Sequence, residues 1–395
     1  MSSILVVLER KPFGGAERAT SLILKLLANE GFNLTVVTGT KYTESLKNVK
    51  WIYSPLLDAP SKLHLWTALL SSRLNQFSEL IKKSDIVYIP RLAYPVIPLA
   101  KKYGKKVVVH LHDYQPMTYC AAVPSSLKNY KIGLLSDMKA SLQHELLNNG
   151  SVRRACISSL ATPLNKLCKL WLSQADDIIC VSQKQRNIIE SAMPDLSTKL
   201  KVVYNLLPEL PVTKKQLGDP TIMYLGGDSY IKGFHTFLRA SIRVLKRRPG
   251  LKFLLTRDIN RSLVERLNKR FGGAYNLLGY LKYREVLMLY SISHALLFPS
   301  IWEEPLPYVI LETMLSGTIP IASNVGGLPE IVDGTYAESM LFEPGNVDEC
   351  VDKMESLLAM SNAQIVDVGF SLKEAILKKF DPKAMEKKIM SIFLS

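Results

Sequence analysis

The feature that most constrains this chain is a recurrence of short, uninterrupted apolar runs separated by stretches of helical character. "SILVVLE" is followed by "AERATSLILKLLANEG" and "NLTVVTG", and further on come "SDIVYIP", "KKVVVHLHD" and "ADDIICVS". A strand with one face in water alternates apolar and polar residues, and these runs do not. They read as strands covered on both faces, at the spacing of βαβ units in a parallel sheet. The expectation is a doubly wound α/β domain.

The pattern then stops and begins again. "KVVYNLLPELPVTKKQLGDP" carries three prolines, a Gly-Asp and a lysine pair, the composition of a linker. After it "TIMYLGG", "LKFLLT", "ALLFPS" and "TIPIAS" read as strands, with "HTFLRASIRVLKRR", "REVLMLYSIS" and "YVILETMLSG" as helices between them. A length of 395 residues suits two such domains. The boundaries expected are 1–209 for the first Rossmann-like lobe, 210–378 for the second, and 379–395 for a C-terminal helix. That helix either caps the second lobe or packs back across the first. Two Rossmann-like lobes facing one another enclose a cleft at the carboxyl ends of their strands, where open sheets bind ligands.

Charge and cysteine content narrow the classes. The formal net charge is +15. Residues 1–209 hold 27 Lys+Arg against 15 Asp+Glu, and the remainder 23 against 20, so the first lobe is the basic one. Such a surface is either an ordinary solvated face or one that meets anionic lipid or an acidic substrate. Aromatic and basic residues do not interleave as stacking platforms, so nucleic acid is not an expected partner. The apolar runs are strand-sized, far short of a membrane span. Met1 leads straight into a strand without a basic region and cleavage site, so no secretory signal is read. The five cysteines form no CxxC pair, which predicts reduced thiols and a cytoplasmic location.

Five stretches carry residues suited to chemistry. In "RKPFGGAERA", Gly14 and Gly15 stand between a strand and a helix, where backbone N–H groups and the helix start favour an anion; the alternative is a plain tight turn. "YLGGDSYIKGF" repeats the arrangement in the second lobe, and its Lys232 would supply a point charge for phosphate beside Gly226 and Gly227. "IWEEPLPYVILETMLSG" brings Glu304 and Glu312 into an apolar segment. Pro305 and Pro307 suit a first helical turn, leaving Glu304 in a loop and Glu312 on a helix. Eight helical residues rise about 12 Å and rotate about 80°, so the two carboxylates suit separate hydroxyls of one long ligand. Ion pairing is the alternative reading, yet residues 301–350 contain nine acids and no Lys or Arg. In "VVVHLHDYQP", His110 and His112 share a strand face; no third ligand stands at metal-binding spacing, so His112 reads as a cleft group or a core histidine. "SNVGGLPEIVDG" adds Gly326 and Gly327, whose amides either hold a phosphate or sugar hydroxyl or only turn the chain.

Together these residues resemble a known family. "EPLPYVILETMLSGTIPIASNVGGLPEIVDG" resembles the signature of retaining glycosyltransferases of family 4, which have the two-lobe GT-B architecture. "GGAER", "HDY", "CVS" and "GYLKYREVLMLYSISHALLFPS" extend the resemblance over essentially the whole chain. The resemblance implies a nucleotide-sugar donor held mainly by the second lobe, with Glu312 on the ribose and Glu304 beside the donor sugar. Lys232 would neutralise the diphosphate, with Gly15 approaching from the first lobe and Gly227 in the facing loop. The turn that starts at Leu278 would lie near the base, and His112 near the anomeric carbon. No metal is expected, in keeping with the lack of an Asp-x-Asp clamp. Two positions depart from the family. Many relatives have an arginine where this chain has Gly227, so Lys232 acts either with backbone amides alone or with another cation such as Arg257. Relatives commonly have glycine where this chain reads "LLTRD".

The activity expected is transfer of a sugar to a carbohydrate or lipid-linked acceptor. A GT-B-shaped nucleotide-sugar epimerase and a non-catalytic nucleotide-sugar sensor are the alternatives. The stretch "KLHLWTALLSSRLNQFSELIKK" places Leu63, Trp66, Leu70, Leu74, Phe77 and Ile81 on one helical stripe. That stripe, and the segment from Lys128 to Arg154, would either pack in the first lobe or bring the enzyme peripherally to an anionic membrane.

Overall fold

The computed structural model describes residues 2–9, 14–41, 46–71, 76–125, 133–211 and 214–395. Thirteen strands form two all-parallel sheets among them. The first sheet comprises β1 (Ser3–Leu8), β2 (Asn33–Thr38), β3 (Val49–Tyr53), β4 (Ile86–Ile89), β5 (Lys106–Leu111), β6 (Asp177–Cys180) and β7 (Leu200–Val202), in the order β3-β2-β1-β4-β5-β6-β7. The second comprises β8 (Thr221–Tyr224), β9 (Lys252–Thr256), β10 (Tyr275–Gly279), β11 (Ala295–Phe298), β12 (Ile319–Ser323) and β13 (Leu341–Phe342), in the order β10-β9-β8-β11-β12-β13. Each sheet is wound outwards in both directions from a central strand, β1 in one and β8 in the other. This is the two-lobed GT-B architecture.

The nine apolar runs are the nine interior strands. Along β1, Leu5 and Val7 enter one core, while Ile4, Val6 and Leu8 enter another on the opposite face. Burial on both faces is why the runs are continuous. The four strands that carry no such run are the four sheet edges. β3 and β10 are only partly buried along their length, and β7 and β13 have three and two residues.

The last helix, Pro382–Leu394, crosses back to the first lobe. Met385, Ile389, Ile392 and Phe393 join the core around β1 and β4, where Phe393 meets Tyr88 edge-on at 5.3 Å. Helix Asn362–Lys379 before it belongs to the second lobe, burying Ile365, Leu372 and Ile376 there.

The long stripe of the first lobe is not one helix. Lys62–Leu70 ends at Ser71, and a separate short helix spans Ser78–Lys82. Trp66, Phe77 and Ile81 are core residues, whereas Leu70 is exposed, and Leu74 lies outside the described residues. The stripe therefore faces the protein interior, with Leu65 and Leu69 completing the buried side.

Candidate active site

The two glycine loops follow the two central strands, where the order of each sheet reverses and a crevice opens at the carboxyl edge. Gly14 has φ 141° and precedes the helix Gly15–Asn29. A Cβ on Gly15 would lie 3.4 Å from Tyr308 of the second lobe, an ordinary contact distance, so this position touches the other lobe across the cleft. Arg10 to Phe13 lie outside the described residues. In the second lobe Gly233 takes φ 73°, and a Cβ there would collide with the carbonyl oxygen of Pro299. That contact docks the loop carrying Lys232 against the segment that follows β11.

Glu304 lies in that segment and is 5 % exposed. One of its oxygens, Oε1, accepts from Lys232 Nζ at 2.6 Å, Trp302 Nε1 at 2.7 Å and Ser300 Oγ at 2.9 Å. Charge pairing with two further donors is what a buried carboxylate needs to remain in place. Lys232 also stands 4.9 Å from the Trp302 ring centroid, and 34 % of its side chain is exposed. The Lys232 side chain is therefore only partly enclosed by these contacts.

Glu312, on helix Tyr308–Leu315, is equally buried. Tyr283 Oη donates to its Oε1 at 2.8 Å, and the Arg18 guanidinium approaches the same oxygen at 3.4 Å from the opposite lobe. Arg18 also stacks on the Tyr283 ring at 3.4 Å. Burial raises the Glu312 pKa, while Arg18 and the tyrosine hydroxyl oppose the rise. The two motif carboxylates thus have separate partners, and both are ion-paired. Their cations come from outside the acidic segment, Lys232 from the second-lobe glycine loop and Arg18 from the first lobe.

The downstream Gly-Gly-x-x-Glu is a frame. The amide of Gly326 donates to Glu303 Oε2 at 2.6 Å and that of Gly327 to the Glu304 carbonyl at 2.8 Å, so neither points at a ligand. A Cβ on either glycine would strike the Glu304–Pro305 backbone. Glu303 belongs to the frame as well: its side chain holds that turn and its N–H donates to the carbonyl of Val123 of the first lobe at 2.7 Å. Glu330 accepts from the amides of Gln183 at 2.9 Å and Lys184 at 2.7 Å, and from Tyr204 Oη at 2.9 Å. It caps a first-lobe helix, Gln183–Ala192, with a carboxylate from the second lobe.

His112 directly follows β5, its ring 4.1 Å from that of His110. Burial, then His110 and Arg91, hold its pKa well below the usual imidazole range, so it is a neutral group. His110 bonds Tyr88 Oη through Nδ1 at 3.0 Å, while His112 Nε2 has no hydrogen-bond partner among the described residues. Among the described residues no three His, Cys, Asp or Glu side chains gather into a metal-ligating group. Leu278 lies exposed near the carboxyl end of β10, on the same edge of its sheet as the glycine loop. Gly227 has φ 64°, and a Cβ there would lie 3.3 Å from Arg257 Cβ. Arg257 is exposed and has the positive φ of 67°, rare for a side-chain-bearing residue, which sets it at the loop that lacks an arginine.

Sequence reasoning passed over Arg18, Tyr283, Ser300, Trp302 and the role of Glu330. It also passed over a buried pair at the first-lobe crevice, Glu9 with Arg91 at 3.3 Å, where burial raises the Glu9 pKa against the pull of the arginine. Arg18 had a signal: it is the basic residue of "GGAER", in the first turn of a helix that faces the cleft.

Comparison with known proteins agrees with this geometry. Residues 13–207 match the family described as Glycosyltransferase Family 4, and residues 219–360 match Glycosyl transferases group 1. An uncharacterised 42.6 kDa protein in the cps region of Klebsiella pneumoniae is 24% identical over 349 residues, 84% of this chain and 87% of that one. Sucrose-phosphate synthase from Thermosynechococcus elongatus superposes with a TM-score of 0.71 at 16% identity, covering 100% of this chain and 98% of its own. HepE of Anabaena, solved in complex with UDP-glucose, superposes with a TM-score of 0.65 at 16% identity over 100% and 99% of the two chains. With both lobes matched and two parallel sheets facing one cleft, the chain belongs to the group 1, family 4 glycosyltransferases and is a glycosyltransferase of GT-B architecture.

Proposed function

We propose that this glycosyltransferase is retaining and metal-independent, and moves a sugar from a nucleotide diphosphate to a carbohydrate or lipid-linked acceptor held by the first lobe. The observation that carries the reading is the pair of carboxylate–cation contacts in the cleft, Glu304 with Lys232 and Glu312 with Arg18. A carboxylate kept charged by a neighbouring cation accepts strongly from sugar and ribose hydroxyls. The cations, in turn, suit a diphosphate. Glu312 takes the ribose, Glu304 the donor sugar, and Lys232 the diphosphate, with Gly15 and Gly227 allowing the backbone to close on it and Leu278 beside the base. His112 faces the anomeric carbon as a neutral hydrogen-bonding group. That HepE binds UDP-glucose supports a nucleotide-sugar donor for this chain too.

The acceptor hydroxyl oxygen attacks the anomeric carbon from the face that the diphosphate leaves. The bond from that carbon to the diphosphate oxygen breaks, its electron pair stays on the diphosphate, and the hydroxyl proton passes to a phosphate oxygen. Fixed charge at Lys232 stabilises the leaving group, the part a metal plays in other transferases. No described helix is long and apolar enough to cross a membrane, and all five cysteines are free; we place the enzyme in the cytoplasm.

A turnover and thermal-shift screen over UDP-, GDP- and ADP-sugars, with and without EDTA, tests the reading. One donor class is expected to stabilise and turn over, and EDTA to change nothing. Glu312→Ala and Lys232→Ala each lower transfer by about tenfold or more, the loss of one charged contact. Near-normal turnover in either variant refutes the role given to that residue, and a product of inverted configuration refutes retention.

A further inference from the structure

Two consecutive first-lobe helices, Leu134–Asn149 and Val152–Leu160, form a hairpin whose outer side is apolar. Helix Val152–Leu160 buries Ala155 (1% exposed), Ser158 and Ser159 (8% each), and turns Val152 (68%), Ile157 and Leu160 (73%) to solvent. Residues 152, 153, 156, 157 and 160 recur at helical spacing, so this is one face. A helix of a globular protein ordinarily does the reverse and buries its apolar side. On the helix before it Leu135 (81%), Lys139, Gln143 and Leu147 are exposed at every fourth position, and Leu170 continues the exposed leucines beyond it. Single exposed apolar residues are unremarkable; a cluster of this kind marks an interaction surface.

Its charge narrows the partner. Residues 134–170 contain Lys139, Arg153, Arg154, Lys166 and Lys169, against Asp137, which is buried, and Glu145, which pairs with Arg154 at 3.5 Å. Lys169 pairs with Asp195 at 3.5 Å, which leaves Lys139, Arg153 and Lys166 as the basic residues with no acidic partner among the described residues. A second copy of this chain would bring the same positive face, and symmetric pairing would set like charges together. An anionic bilayer complements both features, accepting apolar side chains below its headgroups and basic ones at their phosphates. The position also fits: Ser229 Oγ, in the second-lobe glycine loop, donates to Asn148 Oδ1 at 2.8 Å, so the end of the hairpin lies at the lip of the cleft.

We propose that the outer face of this hairpin docks the enzyme on an anionic phospholipid surface, presenting the cleft to an acceptor carried in that surface. The proposal deepens the reading of a lipid-linked acceptor and rests on it. Residues 126–132, which lead into the hairpin, lie outside the described residues and take no part in the argument.

The test uses the full chain and vesicles of phosphatidylcholine with or without phosphatidylglycerol. Wild type is expected to sediment with the anionic vesicles at low salt and to release in high salt, as surface charge is screened. Val152→Ser/Ile157→Ser/Leu160→Ser, three exposed positions, is expected to bind at least about tenfold more weakly with an unchanged melting curve. Cys156, exposed on the same face, carries an environment-sensitive fluorophore in a Cys120→Ser background, and its emission should shift to the blue on vesicles. Wild type left in the supernatant, a triple variant that binds like wild type, or a probe that stays in water overturns the proposal. So does a dimer that the triple substitution abolishes, since the face would then join two chains. Donor-induced thermal stabilisation and turnover on a water-soluble acceptor do not use the hairpin; their failure strikes the transferase mechanism instead.

Discussion

Arg18→Met removes the one cation that reaches Glu312 among the described residues, and the consequence should be a displaced pH profile. The guanidinium lies 3.4 Å from Glu312 Oε1, which at an effective dielectric of about 20 is about 5 kcal/mol of gross attraction. Arg18 is 27% exposed, and water replaces part of that term when the side chain goes, leaving a net of about 1–2 kcal/mol. One pKa unit corresponds to about 1.4 kcal/mol, so the Glu312 carboxyl should rise by about one unit above a value that burial has already raised. The form that accepts ribose hydroxyls is the ionised one. The acid limb of kcat/KM for the donor therefore moves up by about one unit, costs about tenfold within that window, and recovers as the pH rises above it. Stability carries the opposite sign. A carboxyl whose folded pKa exceeds its unfolded one favours folding at low pH, and that contribution is lost as pH rises from the unfolded to the folded value. The loss should be larger in Arg18→Met. Arg18→Lys keeps the charge but not the stack on Tyr283, so its limb should stay near wild type. A uniform loss at every pH with an unmoved limb would show that Arg18 only joins the lobes, and the electrostatic reasoning would be refuted.

Two further substitutions probe the frame. Glu330→Gln keeps one acceptor oxygen but turns an amide N–H toward the N–H groups of Gln183 or Lys184, which should cost about 1–3 kcal/mol; the readouts are a lower melting temperature and a larger radius of gyration as the lobes loosen, and an unchanged melt would deny the cross-lobe cap. Gly233→Ala meets both a φ of 73° and the Pro299 carbonyl, a strain of about 1–2 kcal/mol from the backbone alone; it should displace Lys232 and lower kcat/KM by at least about tenfold, and normal turnover would show that the loop accommodates the methyl group.

The interior of each sheet was legible because burial on both faces writes itself as an unbroken apolar run. The edges were not. β3, "VKWIY", is half-wet along its length, and β13 is two residues long, too short for any pattern. The same logic explains the membrane stripe. Spacing placed Leu63, Trp66 and Leu70 together, but periodicity cannot say whether an apolar face meets a core or a bilayer. Trp66 settles it by stacking edge-on against Trp171 at 5.5 Å inside the lobe. The hairpin that does expose its leucines has serines on its buried side, and no apolar count would single it out.

The candidate site was legible in kind but not in pairing, and the reason is the sequence distance of its partners. An acidic segment free of lysine and arginine reads as unpaired only if partners must be local. Glu304 finds Lys232 at a separation of 72 residues, and Glu312 finds Arg18 near the other end of the chain. Neither partner lies in the segment itself and the second requires the lobes to close, so the charge balance of the motif is a property of the folded cleft and not of the segment. That places a constraint on function. A donor that bonds both carboxylates must meet the two lobes together, because one carboxylate is charge-compensated from within the second lobe and the other from across the cleft. Ribose recognition at Glu312 is therefore coupled to lobe position through Arg18, whereas the contact of Lys232 with Glu304 is not. A substitution that loosens the lobes, such as Glu330→Gln, should weaken binding of the free nucleoside diphosphate through the Glu312 end while leaving the Lys232–Glu304 pair intact. The observation that would sink this coupling is simple to make: equal nucleotide affinity in wild type and Glu330→Gln, measured by titration calorimetry at a pH where Glu312 is ionised.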